Sequence, residues 1–304
     1  MAFAKIGIMS IGEMGYHWAK VLKARGAEVL TYDRDRSPVT QRRAENAGVK
    51  STGSLAELCS SADLIVSIVV PSAAIKVAAE IAKAAADSNR KNLIYFDANA
   101  ISPMTAEKIN GVLSEAGVNF VDGCIIGSAA RMDKGSVIYA SGAEAARILE
   151  LGAYGLNVQV LGTGTSQASA FKVVYAGLTK GLQGLFVELL MGAKRFGLLD
   201  EIIKRYDESF PGLLEKVSSS IVGLRIHAAR RAEEMDELQR TYAHYSMQSL
   251  MAPAIQKILG SIAELDIGES SEKGAREGDL METMELFYQQ GLLSNARLAS
   301  RASK

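Results

Sequence analysis

Lys5-Ile-Gly-Ile-Met-Ser-Ile-Gly-Glu-Met-Gly15 is the stretch from which the fold is read. It ends a predicted strand and opens a predicted helix, which is the setting a phosphate-binding turn requires. Gly12 lets the backbone approach a pyrophosphate, Gly15 lets the helix pack on the strand, and main-chain N–H groups at the helix N-terminus face the phosphate charge. The pattern departs from G-x-G-x-x-G at Ser10, so the tight turn must be made by a residue with a Cβ. Ser10, Ile11, Gly12, Glu13, Met14 and Gly15 form the candidate turn. The alternative for this stretch alone is a tight strand-to-helix connection in any α/β protein.

Its surroundings decide between the two. The next apolar run, Glu28 to Tyr32, ends at Asp33, about where an acidic residue binds the adenosine ribose hydroxyls. A carboxylate there repels a 2′-phosphate, whereas Arg34 and Arg36 could hold one. The reading leans to NAD and leaves NADP open; a solvated loop is the alternative for the two arginines.

Further apolar runs follow at Leu64 to Val70, Leu93 to Phe96, Asn119 to Val121, Ser136 to Ala140 and Val158 to Leu161, with amphipathic helical stretches between them. Continuous apolar runs are expected of strands covered on both faces, and the alternation predicts an N-terminal Rossmann domain with a doubly wound parallel sheet over residues 1–164. Beyond Gly164 helical periodicity takes over, predicting an all-α substrate and dimerisation domain over 165–304. Its first helix, 166–195, carries Phe171, Tyr175, Leu178, Leu182, Leu185 and Leu189 as an apolar stripe facing a partner. Further helices are expected over 200–209, 212–220, 227–242, 248–263 and 278–299.

Composition excludes several classes. With 304 residues, 48% hydrophobic and 22% charged, the chain is long enough for two ordinary globular domains. Its 34 basic and 34 acidic residues balance, so no global field recruits nucleic acid or an anionic membrane. Cys59 and Cys124 offer no disulfide framework, which suits a cytoplasmic location. The three histidines, at 17, 227 and 244, lack paired ligand spacing, so no metal site is expected. No export signal is visible, and no apolar stretch is read as long enough to span a bilayer, since Lys172, Lys180, Gln183 and Glu188 interrupt the longest one.

With these segments in view, the chain resembles the β-hydroxyacid dehydrogenase superfamily, which includes 3-hydroxyisobutyrate and 6-phosphogluconate dehydrogenases and has imine reductases as relatives. Gly7 to Gly15 looks like the family's nucleotide turn, Val69-Val-Pro-Ser72 like the loop after its fourth strand, and Asp97-Ala-Asn-Ala-Ile-Ser-Pro103 like the loop near the nicotinamide. The resemblance therefore adds Val70, Pro71 and Asn99 as cofactor-side candidates, although Asn99 could equally cap the following turn. Asp122-Gly-Cys-Ile-Ile-Gly-Ser128 is similar to the family's glycine-rich substrate loop, which places Gly127 and Ser128 against a substrate carboxylate.

Gly162-Thr-Gly164 and Ala168-Ser-Ala-Phe-Lys-Val-Val-Tyr-Ala176 look like the family's catalytic helix, with its lysine at Lys172. The family's asparagine one turn later is replaced by Ala176. Tyr175, Thr179 and the run from His227 to Met235 resemble a less studied subgroup with a distinctive C-terminal domain, and Tyr175 and Thr179 are taken as substrate-side candidates. Lys172, Thr179 and Gln183 project within one narrow arc of the helix; from periodicity alone that face simply meets water. Arg131 and His227 are weaker candidates for the cleft, and packing is the expected role of His17 and Trp18. The resemblance implies hydride transfer between a nicotinamide cofactor and a small 3-hydroxyacid-like alcohol or its carbonyl, with Lys172 as acid/base, in a homodimer. An NAD(P)H-dependent imine reductase and a catalytically silent dinucleotide sensor are the rival readings, the second kept open by Ser10 and Ala176.

Overall fold

A computed structural model of the protein describes residues 3–88, 90, 92–267 and 279–294, so both ends of the helix expected over 278–299 lie outside the described residues. The chain divides into two compact units, residues 1–172 and 173–304.

In the first unit β1 (Lys5–Met9), β2 (Glu28–Thr31), β3 (Lys50–Ser51), β4 (Leu64–Ser67), β5 (Ile94–Asp97), β6 (Asn119–Ile126), β7 (Val137–Ser141) and β8 (Val158–Gly162) form one sheet, ordered β3-β2-β1-β4-β5-β6-β7-β8. The first six follow the doubly wound dinucleotide order, whose ligands sit beyond the C-terminal strand ends where the order reverses, here between β1 and β4. All neighbours pair in parallel except β6 and β7, which run antiparallel. The sequence reading expected a parallel sheet; hydrophobic pattern carries no strand direction, so the β6–β7 reversal was hidden from it. It also passed over β3, two exposed residues with no apolar pattern.

The strands read as unbroken apolar runs because helices cover both faces. Ile6, Ile8, Val29, Val66 and Phe96 pack on one side with Trp18, Ala19 and Leu22 of α1 (Glu13–Ala24). Met9, Leu30, Ile65 and Tyr95 pack on the other with α3 (Leu55–Ser61), α4 (Ala74–Asp87) and α5 (Pro103–Glu115). The helix starts are set locally: Ser37 caps α2 (Pro38–Asn46), Ser54 caps α3 and Ser102 caps α5, each hydroxyl accepting the amide three residues on. A short α6 (Ala145–Ile148) precedes β8. Trp18 is fully buried, with its ring centroid 6.3 Å from that of Phe96, which is the packing role expected of it.

The helix α7 (Gln167–Arg195) runs through the division between the units, with its first residues in the first unit. The physical reason is that its first turn is hydrogen-bonded into the sheet: the amide of Ala168 donates to Ser141 Oγ at 3.0 Å. In the second unit α7 is followed by α8 (Leu199–Ser209), α9 (Leu213–Val222), α10 (Leu224–His244), α11 (Met251–Ala263) and α12 (Leu280–Gln289). Val187, Leu190, Ile221, Met235, Leu259, Met284 and Phe287 lie at the centre of their shared core. Gly184 sets the approach of α7 to α11, since a Cβ there would stand 3.0 Å from two side-chain carbons of Ile255.

At 29 residues α7 does reach the length and apolar content of a membrane span, correcting the reading that no stretch does. Two of the polar groups that interrupt it are engaged within the helical unit: buried Gln183 accepts from Arg231 Nη1 at 3.0 Å, and Lys180 pairs with Glu234 at 2.6 Å. Glu188 is exposed, and Lys194, nearer the helix end, pairs with Glu285.

Candidate functional site

Four loops at the C-terminal edge of the sheet carry the cofactor-side candidates. The turn after β1 holds Ser10 at φ 75°, the left-handed conformation that glycine adopts without strain, so the serine makes the tight turn with a Cβ in place. Gly12 precedes α1 in extended conformation, and no side chain caps the helix there. Nothing lies within 4 Å of where a Gly12 Cβ would point, whereas a Cβ on Gly15 would stand 2.4 Å from the Ser10 carbonyl oxygen. Gly15 thus secures the strand-to-helix packing, and Gly12 keeps space open in front of uncapped first-turn amides, among them those of Glu13 and Met14. Ile11 is buried beneath. A pyrophosphate fits these donors by charge and by space.

Asp33 follows β2, where its carboxylate accepts Ser51 Oγ of β3 at 2.5 Å, and Gln41 Nε2 donates to the Asp33 carbonyl at 3.0 Å. Arg34 beside it is exposed. Val70 and Pro71 follow β4 and are also exposed, Val70 by 64%.

Asn99, after β5, is turned inward. It is 3% exposed; its Oδ1 accepts the Val69 amide at 2.6 Å, and its Nδ2 donates to Ser67 Oγ at 3.0 Å and to Asp97 Oδ2 at 2.9 Å. Both of its amide hydrogens are thereby engaged inside the protein, and the side chain straps the loop carrying Val70 and Pro71 to the end of β5.

Below these loops runs a feature the sequence reading did not assign. Ser67, Asp97, Asp122 and Ser141 stand in register on β4, β5, β6 and β7, and all four are fully buried. Residues in register on neighbouring strands share a face, so this is a polar row crossing an otherwise apolar sheet. Asp122 anchors α7: its Oδ2 accepts the Ser169 amide at 2.7 Å and its Oδ1 accepts the Ser169 hydroxyl at 2.6 Å. Lys172 follows one helical turn later, and Phe171 beside it stacks on Tyr139 of β7 with centroids 4.4 Å apart.

Burial governs the electrostatics of the row. It pushes the Asp97 carboxyl up to about 7, against the Asn99 hydrogen bonds, and the charges of Asp122 and Lys172 push it up and down respectively. Burial also raises Asp122 to about 6, opposed by the donors from Ser169 and Ser141. The Cys124 thiol rises to about 12 by burial, again opposed by Lys172. Lys172 bears on both Asp97 and Cys124, and it follows by one helical turn the Ser169 that Asp122 holds.

Gly127 and Ser128 close the end of β6. Gly127 has φ 140°, and a Cβ there would stand 2.2 Å from Ser136 Oγ, so only glycine fits. The Ser128 carbonyl accepts Ser136 Oγ at 2.8 Å while the residue itself is exposed. Arg131 is exposed, with its guanidinium lying over Gly135. In the second unit Tyr175 is 45% exposed and Thr179 Oγ1 donates to the Ala176 carbonyl at 3.1 Å. His227 lies in α10. Among the described residues no group of three or more His, Cys, Asp or Glu side chains could hold a metal ion.

Residues 5–151 match the NAD binding domain of 6-phosphogluconate dehydrogenase, and residues 193–262 match a domain of unknown function, DUF1932. An uncharacterized 28.5 kDa protein from Methanothermus fervidus is 29% identical over 86% of this chain and 99% of its own. A solved conserved protein of unknown function, described as structurally similar to 3-hydroxyacid dehydrogenases, is 32% identical over 86% of this chain and 97% of its own, with a TM-score of 0.76. Two further structures share the fold at low identity. A 3-hydroxyisobutyrate dehydrogenase from Mycobacterium tuberculosis, solved with L-serine, is 15% identical with a TM-score of 0.75, covering 94% of this chain and 99% of that one. An imine reductase from Bacillus cereus is 14% identical with a TM-score of 0.60, covering 93% and 99%. The chain thus belongs to the family that joins a 6-phosphogluconate-dehydrogenase-type NAD-binding domain to a DUF1932 domain, and it has the fold of the 3-hydroxyacid dehydrogenases.

Proposed function

We propose that the protein is an NAD(P)-dependent oxidoreductase acting on a small 3-hydroxyacid-like alcohol or its carbonyl, with Lys172 as the acid/base. What supports this reading is the anchoring of α7 through Ser169 to Asp122 of the buried row, one helical turn before Lys172. When bound, the nicotinamide supplies or takes the hydride. The turn from Ser10 to Gly15 binds the pyrophosphate through its amides, and Asp33 accepts from the ribose hydroxyls. Val70 and Pro71 bound the nicotinamide end, positioned by the Asn99 strap. Ser128 and the backbone around Gly127 donate to the substrate carboxylate, and Tyr175 and Thr179 belong to the substrate side. The Lys172 amine gives a proton to the substrate oxygen in reduction and removes it in oxidation.

The fold shared with imine reductases keeps a second substrate class in view, since reduction of an imine also needs a donated proton. Purified protein assayed on 3-hydroxyacids with each cofactor, and on imines with each reduced cofactor, separates the two. Turnover on hydroxyacids that Lys172→Ala abolishes, with cofactor binding retained, supports the proposal. Turnover on imines alone replaces it with the reductase reading; cofactor binding without turnover in any assay replaces it with the sensor reading.

The assembly we propose is a homodimer. Val174, Tyr175, Leu178, Leu185 and Leu189 are each at least 42% exposed along α7, an apolar stripe of the kind a second copy covers. Both cysteines are unpaired and buried, which agrees with a cytoplasmic location.

A further inference from the structure

The two carboxyls of the buried row have no part in the reaction as outlined, yet Asp122 holds α7 one turn before the acid/base and Asp97 stands beside Asp122. Asp97 and Asp122 stand in register on adjacent parallel strands, whose backbones run about 4.8 Å apart, and share one face of the sheet. Two carboxylates that close, both out of water, do not ionise independently. Their hydrogen bonds are unequal. Asp122 receives the amide and hydroxyl of Ser169 and the Ser141 hydroxyl, at the positive end of α7. Asp97 receives donors from one residue, the Asn99 amide at 3.0 Å and Nδ2 at 2.9 Å. The better-supplied carboxyl holds the negative charge and the other holds the proton.

We infer that Asp97 is a positioning residue for Lys172: paired with ionised Asp122, it carries a proton whose loss and return are linked to the charge on the Lys172 amine. When Asp97 ionises, the added negative charge favours the ammonium form of Lys172. When Asp97 is protonated, one negative charge fewer lies near the amine, which gives up its proton more readily. By reciprocity the ammonium makes Asp97 easier to ionise. Burial and the nearby Asp97 charge hold the Tyr95 hydroxyl well above its usual range, and burial holds Cys124 as a thiol, so neither changes charge across the neutral range. Ser67, Asn99, Ser141 and Ser169, which bond to the row from β4, the β5 loop, β7 and α7, carry no charge. Glu107 of α5 accepts the Ser166 hydroxyl at the start of α7 and is the further carboxyl on that side. The proposed function gives this linkage its catalytic meaning, but the linkage itself is measured without turnover.

The experiment follows the Lys172 side chain by NMR in protein carrying labelled lysine, its signal identified by its absence from Lys172→Met. In the unmodified protein the Lys172 signal is expected to show a first inflection near neutral pH as Asp97 ionises, and a second at higher pH as the amine itself titrates. Asp97→Asn should remove the first and shift the second down by about one pH unit, a roughly tenfold rise in neutral amine at fixed pH. In the reciprocal arm, the carboxylic-acid carbonyl band of Asp97 is titrated by infrared spectroscopy in Lys172→Met, a measurement that stands even if Asp97→Asn fails to fold. Its midpoint should move up relative to the unmodified protein. A single Lys172 inflection unchanged by Asp97→Asn, or an infrared midpoint unmoved by Lys172→Met, overturns the inference. Since neither readout involves substrate, inactivity on every hydroxyacid would defeat the proposed function and leave this result standing.

Discussion

Asp122 holds Ser169 by two atoms at once, the backbone amide at 2.7 Å and the hydroxyl at 2.6 Å, across a separation of 47 residues. A helix N-terminus is usually capped by a residue adjoining it in sequence. Here the cap comes from a sheet strand, so the position of Lys172 is tied to the middle of β6 and not to the loop that leads into α7. Ser169→Ala removes one of the two bonds and leaves a buried carboxylate oxygen under-supplied. It should destabilise the protein by about 1.5–3 kcal/mol above neutral pH, read from chemical denaturation. A loss well under 1 kcal/mol would mean that the bond contributes little to holding the helix.

Ser10 offers the opposite prospect. A non-glycine residue in the left-handed region costs about 1–2 kcal/mol, and the extra freedom that glycine brings to the unfolded chain takes back about 0.4–1 kcal/mol. Ser10→Gly should therefore stabilise the protein by up to about 1 kcal/mol in thermal melting, with dinucleotide binding retained. Destabilisation would show that the serine side chain makes a contribution that its backbone conformation does not reveal.

The sign of the pH dependence follows from burial. Both Asp97 and Asp122 are raised in the folded protein, to about 7 and about 6, above the roughly 3.9 of an unfolded aspartate. The folded state then binds more protons than the unfolded state between these values, so stability is greatest near pH 4 on this account and falls as the pH rises through about 7. Asp97→Asn should flatten that slope in urea titrations run across the interval. An equally steep slope in the variant would assign it to other groups.

Asp33→Ala should improve NADP binding relative to NAD, because it removes the carboxylate that would face a 2′-phosphate while Arg34 stays beside it. Titration calorimetry with both cofactors checks this; an unaltered ratio would remove Asp33 from the ribose site.

Much of the sheet could be read from the chain because strands covered on both faces write themselves as unbroken apolar runs, as Leu64 to Ser67 and Ile94 to Asp97 do. The tight turn from β1 into α1 was legible for a related reason, since its residues are contiguous. The buried row was not. Asp97 and Asp122 each end an apolar run followed by small residues, which hints that they occupy matching places, but register between strands is fixed by three-dimensional packing and leaves no period in the sequence. The role of Asn99 was hidden likewise, because its bonds to Ser67 and Val69 span 32 and 30 residues. Along α7 periodicity identified one apolar stripe, in which Leu178, Leu185 and Leu189 are exposed, and passed over the one that the helix buries with Val187, Leu190 and Met191. Two apolar stripes on one helix look alike to a hydropathy pattern; only the structure distinguishes them.

The row of Ser67, Asp97, Asp122 and Ser141 also bears on engineering. Backbone pairing across β4 to β7 would survive valine or alanine at all four places, while the desolvation of two carboxyls would vanish. Directed evolution selected for heat resistance alone should therefore reach apolar residues here only in concert with changes at Ser169 and Asn99, whose buried donors would otherwise be left unpaired.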